Sequence, residues 1–260
     1  MFARGKKTET AIPVKLEEPL TSEGCLKLIV ELLKYLLYNK QQIPFSYDCL
    51  SQVQSKSKPT DRNFLNIQKF FDSLCDVTEH LNSQFYTTRC NVREVVIIIG
   101  ATIFSPKICI RVELPEKILD SKLHTEYYHS SRKPLLHLMR SMLECHEFQD
   151  AMTIPLGPTN TFILVQKSDS NQMSEFFIPK PQYALPVQAP CFRIRIDNCG
   201  GIQTSCHCPS AVSVFHDSRS EYHIESNQSS ILSESNECKA SAPYQWYQST
   251  QVIKGFKFLR

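Results

Sequence analysis

The sequence predicts an α+β fold in which three helices pack on a mainly antiparallel β-sheet. Three observations carry this prediction. Apolar residues recur at helical spacing in three long segments, runs of β-branched residues lie between them, and two of these runs are joined by a turn too short for a parallel crossover. The chain has 260 residues, of which 42% are hydrophobic, and it can therefore bury a substantial core.

The first predicted helix lies in the densest apolar stretch of the chain, residues 21–45. Two adjacent apolar stripes run along it, which is wider than one amphipathic face needs, so this helix should be covered on most sides. Thr21 or Ser22 supplies an N-cap oxygen, and Pro44 prevents the helix from continuing past about Gln42. The stretch is too short, and too often interrupted by charge, to cross a bilayer.

A short edge strand is predicted before this helix and a second helix after it. Residues 12–16 fit a strand that is limited by nearby prolines. Residues 52–60 are polar and are predicted to form a linker. Thr60 or Asp61 then caps a helix that runs to about Phe85, with apolar residues at every third or fourth position.

Two neighbouring strands are predicted in the middle of the chain. Residues 92–100 are β-branched and nearly continuous, which is typical of a central strand that is covered on both faces and ends at Gly100. Residues 108–114 alternate between apolar and polar side chains, which indicates a half-exposed strand. The turn at residues 105–107 is short, so the two strands should pair antiparallel.

A third helix is predicted over residues 132–150, with Pro134 tolerated in its first turn. Its apolar residues form two lines on different parts of the cylinder. Either both lines belong to the core, or apolar surface remains after one line is packed. The first line consists of Leu135, Leu138, Met142 and Cys145, and the second of Leu136, Met139, Leu143 and Phe148.

The last part of the chain contains further strands and a serine-rich segment. Residues 161–166 and 191–197 are predicted strands, and residues 176–190 form an extended proline-rich crossing between them. Residues 200–243 are rich in serine and poor in aromatic residues, so they are predicted to be a disordered insertion. Residues 244–258 should form an aromatic strand pair that bends near its glycine.

The predicted organisation is one domain over residues 12–258, interrupted by this insertion and preceded by a disordered basic arm at residues 1–11. The arm lacks the apolar segment of a signal peptide. Eleven cysteines without a secretory signal are interpreted as reduced thiols, which favours the cytosol or the nucleus. Four of them are interpreted as small buried hydrophobes because they lie in apolar periodic segments, namely Cys25, Cys75, Cys109 and Cys145.

Composition and motifs argue against several functional classes. The net charge is only +3, with basic and acidic side chains intermixed, so nucleic-acid binding is not predicted. Nucleophile elbows and phosphate-binding loops are absent from the sequence, and Glu31, Glu94 and Glu113 are interpreted as ordinary surface charge. Nucleophilic, nucleotide-dependent and acid–base catalysis are therefore disfavoured.

The insertion contains the best metal-ligand candidates. Only one of its clusters has the spacing of zinc ligands, and no second cluster matches it, so disordered polar sequence is favoured over a metal site. A zinc-binding regulatory module is retained as an alternative. Its ligands would come from Cys199, Cys206, His207, Cys208, His216, His223 and Cys238.

Four segments of the chain resemble, in order and spacing, the "comet" family that binds the mitotic arrest deficient checkpoint protein. The resemblance covers residues 12–197 and 244–258, and its distinctive pieces are ELLK, the QQxP helix ending, the SPK turn, the PKxxY crossing and KGF. Each piece alone is weak, but together they are specific. The segments are EGCLKLIVELLKYLLYNKQQIPF, VREVVIIIGATIFSPK, FIPKPQYALP and WYQSTQVIKGFKF.

The resemblance implies a HORMA-like fold whose C-terminal portion wraps back over the sheet. It also implies a non-enzymatic adaptor that needs no cofactor. This adaptor would pair with the closed conformer of its HORMA partner through matching third helices and present it to a hexameric AAA+ ATPase. The outcome would be disassembly of the mitotic checkpoint complex and silencing of the spindle checkpoint.

The same resemblance implies a location in nucleus and cytoplasm, with spindle association in mitosis. The mild net charge predicts no nucleic-acid partner, and the short, interrupted apolar stretch predicts no membrane partner. A HORMA-like binder that captures a peptide beneath a mobile C-terminal belt is the alternative.

Residue by residue, the resemblance assigns two contact surfaces. Family members carry an aromatic residue where Met139 stands and a glutamine where Asn39 stands. This chain therefore has a more flexible side chain at the position expected to anchor the partner. A basic residue follows the crossing tyrosine in the family, where this chain has Ala184. The partner-binding residues would be Asn39, Gln42, Leu135, Leu136, Met139, Arg140 and Leu143, and the ATPase-facing residues Pro179, Lys180 and Tyr183.

Overall fold

Five helices and eight strands make up the described part of the chain. The structure is a computed structural model that describes residues 9–86, 92–121, 124, 127–168, 175–186, 189–198 and 244–259. The predicted α+β class is confirmed, but with five helices in place of three. In chain order the elements are β1 Thr10–Leu16, α1 Ser22–Asn39, α2 Tyr47–Lys56, α3 Arg62–Tyr86, β2 Val92–Thr102, β3 Ser105–Glu113, α4 Arg132–Glu144, α5 His146–Thr153, β4 Asn160–Ser168, β5 Phe177–Pro179, β6 Cys191–Asn198, β7 Tyr244–Ser249 and β8 Ile253–Lys254.

All eight strands belong to one sheet, in the order β1-β6-β3-β2-β4-β7-β5, with β8 paired to β4. β2 lies between β3 and β4 and is antiparallel to both, which confirms the predicted central strand and its antiparallel neighbour. β1 is an edge strand, as predicted. β6 is parallel to both β1 and β3, and this is possible because the chain between β3 and β6 is long enough for a crossover.

The α1 helix is buried against the sheet and the other helices, which confirms the prediction made for it. The hydroxyl of Thr21 caps its first turn by accepting a hydrogen bond from Gly24 N at 3.0 Å. Among the described residues, no helix is both long enough and apolar enough to span a bilayer. The largest buried side chains of α1 are Leu28, Ile29, Leu32, Leu33, Leu36 and Leu37.

The α2 helix occupies much of the segment that was predicted to be a linker, residues 52–60, and that prediction is wrong for residues 52–56. Ser46 caps the helix, and Leu50 is its buried residue. Tyr47 packs edge-on against Phe71 of α3, with ring centroids 5.1 Å apart. The helix is therefore held by a few tertiary contacts, which a periodicity search over a polar segment does not detect.

The helix predicted over residues 132–150 is two helices, because the chain leaves helical conformation at Cys145, whose ψ is 101°. Phe148 of α5 is thereby buried between Tyr35 and Phe192, at ring-centroid distances of 6.4 and 5.2 Å. Gln149 Nε2 donates to the Met142 carbonyl at 2.9 Å and satisfies one of the last carbonyls of α4. The apolar spacing continues across the break, so the sequence pattern does not reveal it.

The C-terminal segment contributes two strands that pair with β4 and not with each other, so the predicted aromatic strand pair is wrong. Within the proline-rich crossing, β5 pairs with β7 at the edge of the sheet. Gly255 follows β8, and a Cβ atom at this position would lie 2.7 Å from Gln42 Oε1. The chain therefore passes closely over the end of α1.

The two faces of the sheet are covered differently. The helices cover one face, and a smaller cluster that includes Val96, Tyr183 and Trp246 covers β2 and β4 on the other. Next to this cluster lies Glu94, which is only 3% exposed and accepts a hydrogen bond from Arg111 Nε at 2.5 Å. The interpretation of Glu94 as surface charge is therefore wrong, because its cross-strand partner stabilises it in a buried position.

The cysteines that were interpreted as buried hydrophobes divide into different environments. Cys25 and Cys109 are buried, Cys145 is half-buried, and Cys75 is exposed on α3. The serine-rich insertion, with its candidate zinc ligands, lies outside the described residues. Within the described ranges, no cluster of three or more His, Cys, Asp or Glu side chains could hold a metal ion.

His80 on α3 stacks on Phe176 at the start of the crossing, with ring centroids 4.2 Å apart. Burial lowers the pKa of His80, against the opposite influence of Asp76 and Glu79. Because the folded state disfavours the charged ring, the unfolded state takes up the proton first, and stability should fall as the pH drops below about 6.5. The substitution His80→Phe keeps the stack and removes the titration, so the urea midpoint should fall less between about pH 7 and about pH 5.

A matched control for this prediction is His146→Phe, which changes an exposed ring on α5. This control should retain the wild-type dependence of the urea midpoint on pH. An unchanged pH dependence in His80→Phe would show that the stacked ring does not couple folding to proton uptake.

Candidate partner-binding surface

The exposed face of α4 carries one of the two apolar lines described above. Leu136 and Leu143 are each 62% exposed, and Arg140 is exposed between them. Leu138 and Met142 on the opposite face are buried in the core. Residues at these spacings share one side of a helix, so the structure leaves an apolar line with a central guanidinium on the surface.

Not every residue predicted on this line is equally accessible. Leu135 and Met139 are half-buried and pack against the core, and Phe148 of the same predicted line is fully buried. The surface available to a partner is therefore centred on Leu136 and Leu143, with Met139 contributing its exposed part. Whether these residues contact a partner stays a prediction.

The end of α1 forms the second part of the predicted surface. Tyr38 is 49% exposed, and Asn39 is half-buried, with its Nδ2 donating to the Tyr35 carbonyl at 2.8 Å. Gln41, two residues after the end of α1, has a positive φ of 52°, which turns the chain out of the helix. An open groove of about 390 Å³ follows this turn and is lined by Tyr38, Asn39, Gln41, Ile43, Pro44, Phe256 and Lys257.

Gln42 was predicted to contact the partner, but its side chain is fully buried. Its Nε2 donates to the Lys40 carbonyl at 2.9 Å, and its Oε1 accepts from Thr159 N at 2.8 Å. Its backbone carbonyl also accepts from Phe256 N at 2.8 Å. The prediction for Gln42 needs correction, because its polar atoms join the end of α1 to two distant segments and leave no surface for a partner.

Lys40 connects the end of α1 to the end of α5, and sequence patterns do not single it out. Its side chain is buried, and its Nζ donates to the carbonyls of Ala151 and Ile154, at 2.5 and 2.6 Å, at the end of α5. Burial lowers the pKa of Lys40. A cation at the negative end of a helix is electrostatically favourable, so this contact fixes α5 relative to α1.

The predicted ATPase-facing residues lie on the crossing but differ in exposure. Pro179 is exposed and Lys180 is half-buried, whereas Tyr183 is buried. The Tyr183 hydroxyl donates to the Ile103 carbonyl at 3.1 Å, and burial raises the pKa of Tyr183. Tyr183 therefore anchors the crossing on the β2–β3 hairpin, and the prediction that it faces a partner needs correction.

The tip of the β2–β3 hairpin presents Phe104, which is 70% exposed and is not marked by any sequence motif. Its ring meets the ring of Tyr183 edge-on, with centroids 5.7 Å apart. Thr102 Oγ1 accepts from the backbone N–H groups of Phe104 and Ser105 at 3.3 and 3.2 Å, which orders the tip. The strand was predicted to end at Gly100 but continues to Thr102, and the turn lies at residues 103–104 and not at the predicted residues 105–107.

Comparison with known proteins identifies a family that this chain matches. A family model described as "p31comet: Mad1 and Cdc20-bound-Mad2 binding" matches residues 5–212. The human protein named MAD2L1-binding protein is 25% identical over 202 residues, which cover 73% of this chain and 70% of the human one. The mouse protein of the same name is 24% identical over 260 residues, which cover 94% of this chain and 78% of the mouse one.

Proposed function

The chain belongs to the p31comet family, and on that premise we propose that it binds the closed conformer of the mitotic arrest deficient HORMA checkpoint protein. It acts as a non-enzymatic adaptor that presents this partner to a hexameric AAA+ ATPase for remodelling. The result is disassembly of the checkpoint complex and silencing of the spindle checkpoint. The protein works in nucleus and cytoplasm and associates with the spindle in mitosis.

The observation that carries this proposal is the exposed apolar line of α4. Leu136 and Leu143 flank Arg140 on a helix whose other face is packed in the core. Aliphatic side chains around an arginine can be desolvated together by a complementary surface, and arginine is common among the residues that dominate binding energy. The helix is ordered before binding, so little conformational entropy is lost on association.

A HORMA-like architecture is part of the same proposal. The helical layer on one face of the sheet supports it, as does the return of the C-terminal strands β7 and β8 to β4. An adaptor of this kind selects the closed partner only through contacts that exist in the closed conformer and are missing in the open one.

Co-purification from mitotic cell extract tests the proposed function directly. The full chain, immobilised as bait, should retain both the checkpoint HORMA protein and the AAA+ ATPase. A folded bait that retains neither protein would contradict the proposal.

The ATPase-facing surface is proposed to include Phe104 together with Pro179 and Lys180. The contacts of Tyr183 with the hairpin tip support this grouping. The substitution Phe104→Ser should weaken ATPase binding at least about tenfold, because an exposed aromatic ring at a rigid tip is a typical anchor residue. Binding of the HORMA partner should be unchanged, and both affinities can be measured with purified proteins.

Leu65→Ser is the matched control for this substitution, since Leu65 is an exposed apolar residue on α3. It should bind the ATPase as the wild type does. If Phe104→Ser retains full ATPase binding while Lys180→Ala loses it, the hairpin tip does not belong to this surface.

A further inference from the structure

Cys109 and Cys191 face each other across two parallel strands of the sheet. Cys109 of β3 is the direct register partner of Cys191, the first residue of β6. Their neighbours on the opposite face, such as Ile110 and Phe192, belong to the main core, so the two thiols share the other face.

The spacing of the two strands suits a covalent link. Adjacent strands lie about 4.8 Å apart, and disulfides form between residues whose Cα atoms are about 4.4 to 6.8 Å apart. The start of β6 is also held to β3 by the hydrogen bond from Cys109 N to the Pro190 carbonyl, at 3.0 Å. The two sulfur atoms can therefore meet without a large backbone movement.

The surroundings of the pair distinguish the two thiols. Cys191 is half-buried at the sheet surface, and its Sγ donates to Glu9 Oε1 at 3.4 Å. The guanidinium groups of Arg111 and Arg193 both bind the Glu9 carboxylate, so a network of opposite charges lies beside the thiols. Cys109 is buried beneath, so a small oxidant reaches Cys191 first.

We propose that Cys109 and Cys191 form a reversible disulfide when the protein meets a two-electron thiol oxidant of the peroxide class. The Cys191 thiolate attacks one peroxide oxygen, which gives a sulfenic acid and a hydroxide that becomes water on protonation. The Cys109 thiolate then attacks the sulfenic sulfur, forming the S–S bond and releasing a second water. In total the two thiols lose two protons and two electrons, and one hydrogen peroxide becomes two waters.

The resting state explains why Cys109 does not react first. The neighbouring Cys191 thiol and burial raise the pKa of Cys109, as does the charge of Glu94, while Arg111 acts in the opposite direction. Cys109 then acts as the second thiol, which resolves the sulfenic acid.

The disulfide would join β3 to the start of β6. Cys191 lies half-buried at the sheet surface, and exposed disulfides are more easily reduced than buried ones. The modification should therefore be reversible by a dithiol or by glutathione. It is independent of the partners proposed above, so the two proposals can fail separately.

Peptide mapping of the full chain after treatment with hydrogen peroxide tests the proposal. Trypsin releases residues 108–111 and 168–193, whose only cysteines are Cys109 and Cys191, because the bond between Lys180 and Pro181 resists cleavage. The two peptides should appear cross-linked, about 2 Da below the sum of their masses, in more than about half of the protein. Treatment with dithiothreitol should restore the free peptides.

Single substitutions identify the order of events. In Cys109→Ala, Cys191 should remain as a sulfenic acid that dimedone traps, whereas Cys191→Ser should leave Cys109 unmodified. Cys75→Ser changes an exposed cysteine on α3 and should not alter the cross-link. The proposal is overturned if, in the wild-type chain, Cys191 is oxidised to a sulfinic acid or linked to another cysteine while Cys109 stays reduced.

Discussion

The double substitution Leu136→Asp with Leu143→Asp should weaken binding of the closed checkpoint HORMA protein at least about 100-fold. Each leucine is 62% exposed, so the free chain loses little packing when it is replaced. In a complex the same positions would be desolvated, and two carboxylates without partners there are strongly unfavourable. Titration calorimetry with the purified closed partner measures the loss, and urea unfolding should show unchanged stability.

Leu65→Asp is the control for one of these changes, because it places a single carboxylate at an exposed leucine of α3. It should bind the partner with wild-type affinity. Substituting Met139 alone is less decisive, since this half-buried side chain also packs against the core. Its replacement would change both the affinity for the partner and the stability of the fold. A double variant that binds within about threefold of the wild type would exclude the α4 face as the partner-binding surface.

Gln42→Ala should lower the free energy of unfolding by about 3 kcal/mol. The substitution removes the acceptor of Thr159 N and the donor to the Lys40 carbonyl. Nε2 also lies 3.4 and 3.3 Å from the carbonyls of Leu156 and Gly157, which would lose this partner too. Buried backbone groups without partners retain the full penalty of desolvation. The loss of stability should therefore exceed that caused by removing an exposed hydrogen bond.

Urea unfolding gives the change in stability, and hydrogen exchange at the amide of Phe256 reports on the attached C-terminal segment. This amide donates to the Gln42 carbonyl and should exchange faster in Gln42→Ala. Gln41→Ala is the control, because Gln41 is exposed and alanine tolerates its positive φ no worse than glutamine does. A loss of less than about 0.5 kcal/mol in Gln42→Ala would contradict the role assigned to its side chain.

Much of the fold was predictable because it depends on local pattern. The buried helix α1, the long helix α3 and the central strand β2 each have a dense apolar pattern that fits one secondary structure. The same reasoning correctly left open whether the second line of α4 was core or surface. Helical spacing shows which residues share a face, but it does not show what covers that face.

Only part of the site was predictable, because the sequence does not show whether a polar side chain faces solvent or the interior. Gln42 and Tyr183 were predicted at contact surfaces, and the structure buries both. Phe104 carries no motif, yet it is among the most exposed large hydrophobic residues described. Exposure depends on which segments fold over a residue, and those segments lie far away in the chain.

Sequence patterns alone therefore predict the α+β class, the order of the main elements and the resemblance to a family. Tertiary structure was needed for the break at Cys145, for the contact of Lys40 with the end of α5, and for the pairing of Cys109 with Cys191. The physical reason is distance along the chain. Hydrophobic periodicity can be recognised from a few neighbouring residues. The partners of Lys40 lie more than a hundred residues away and become neighbours only in the folded chain.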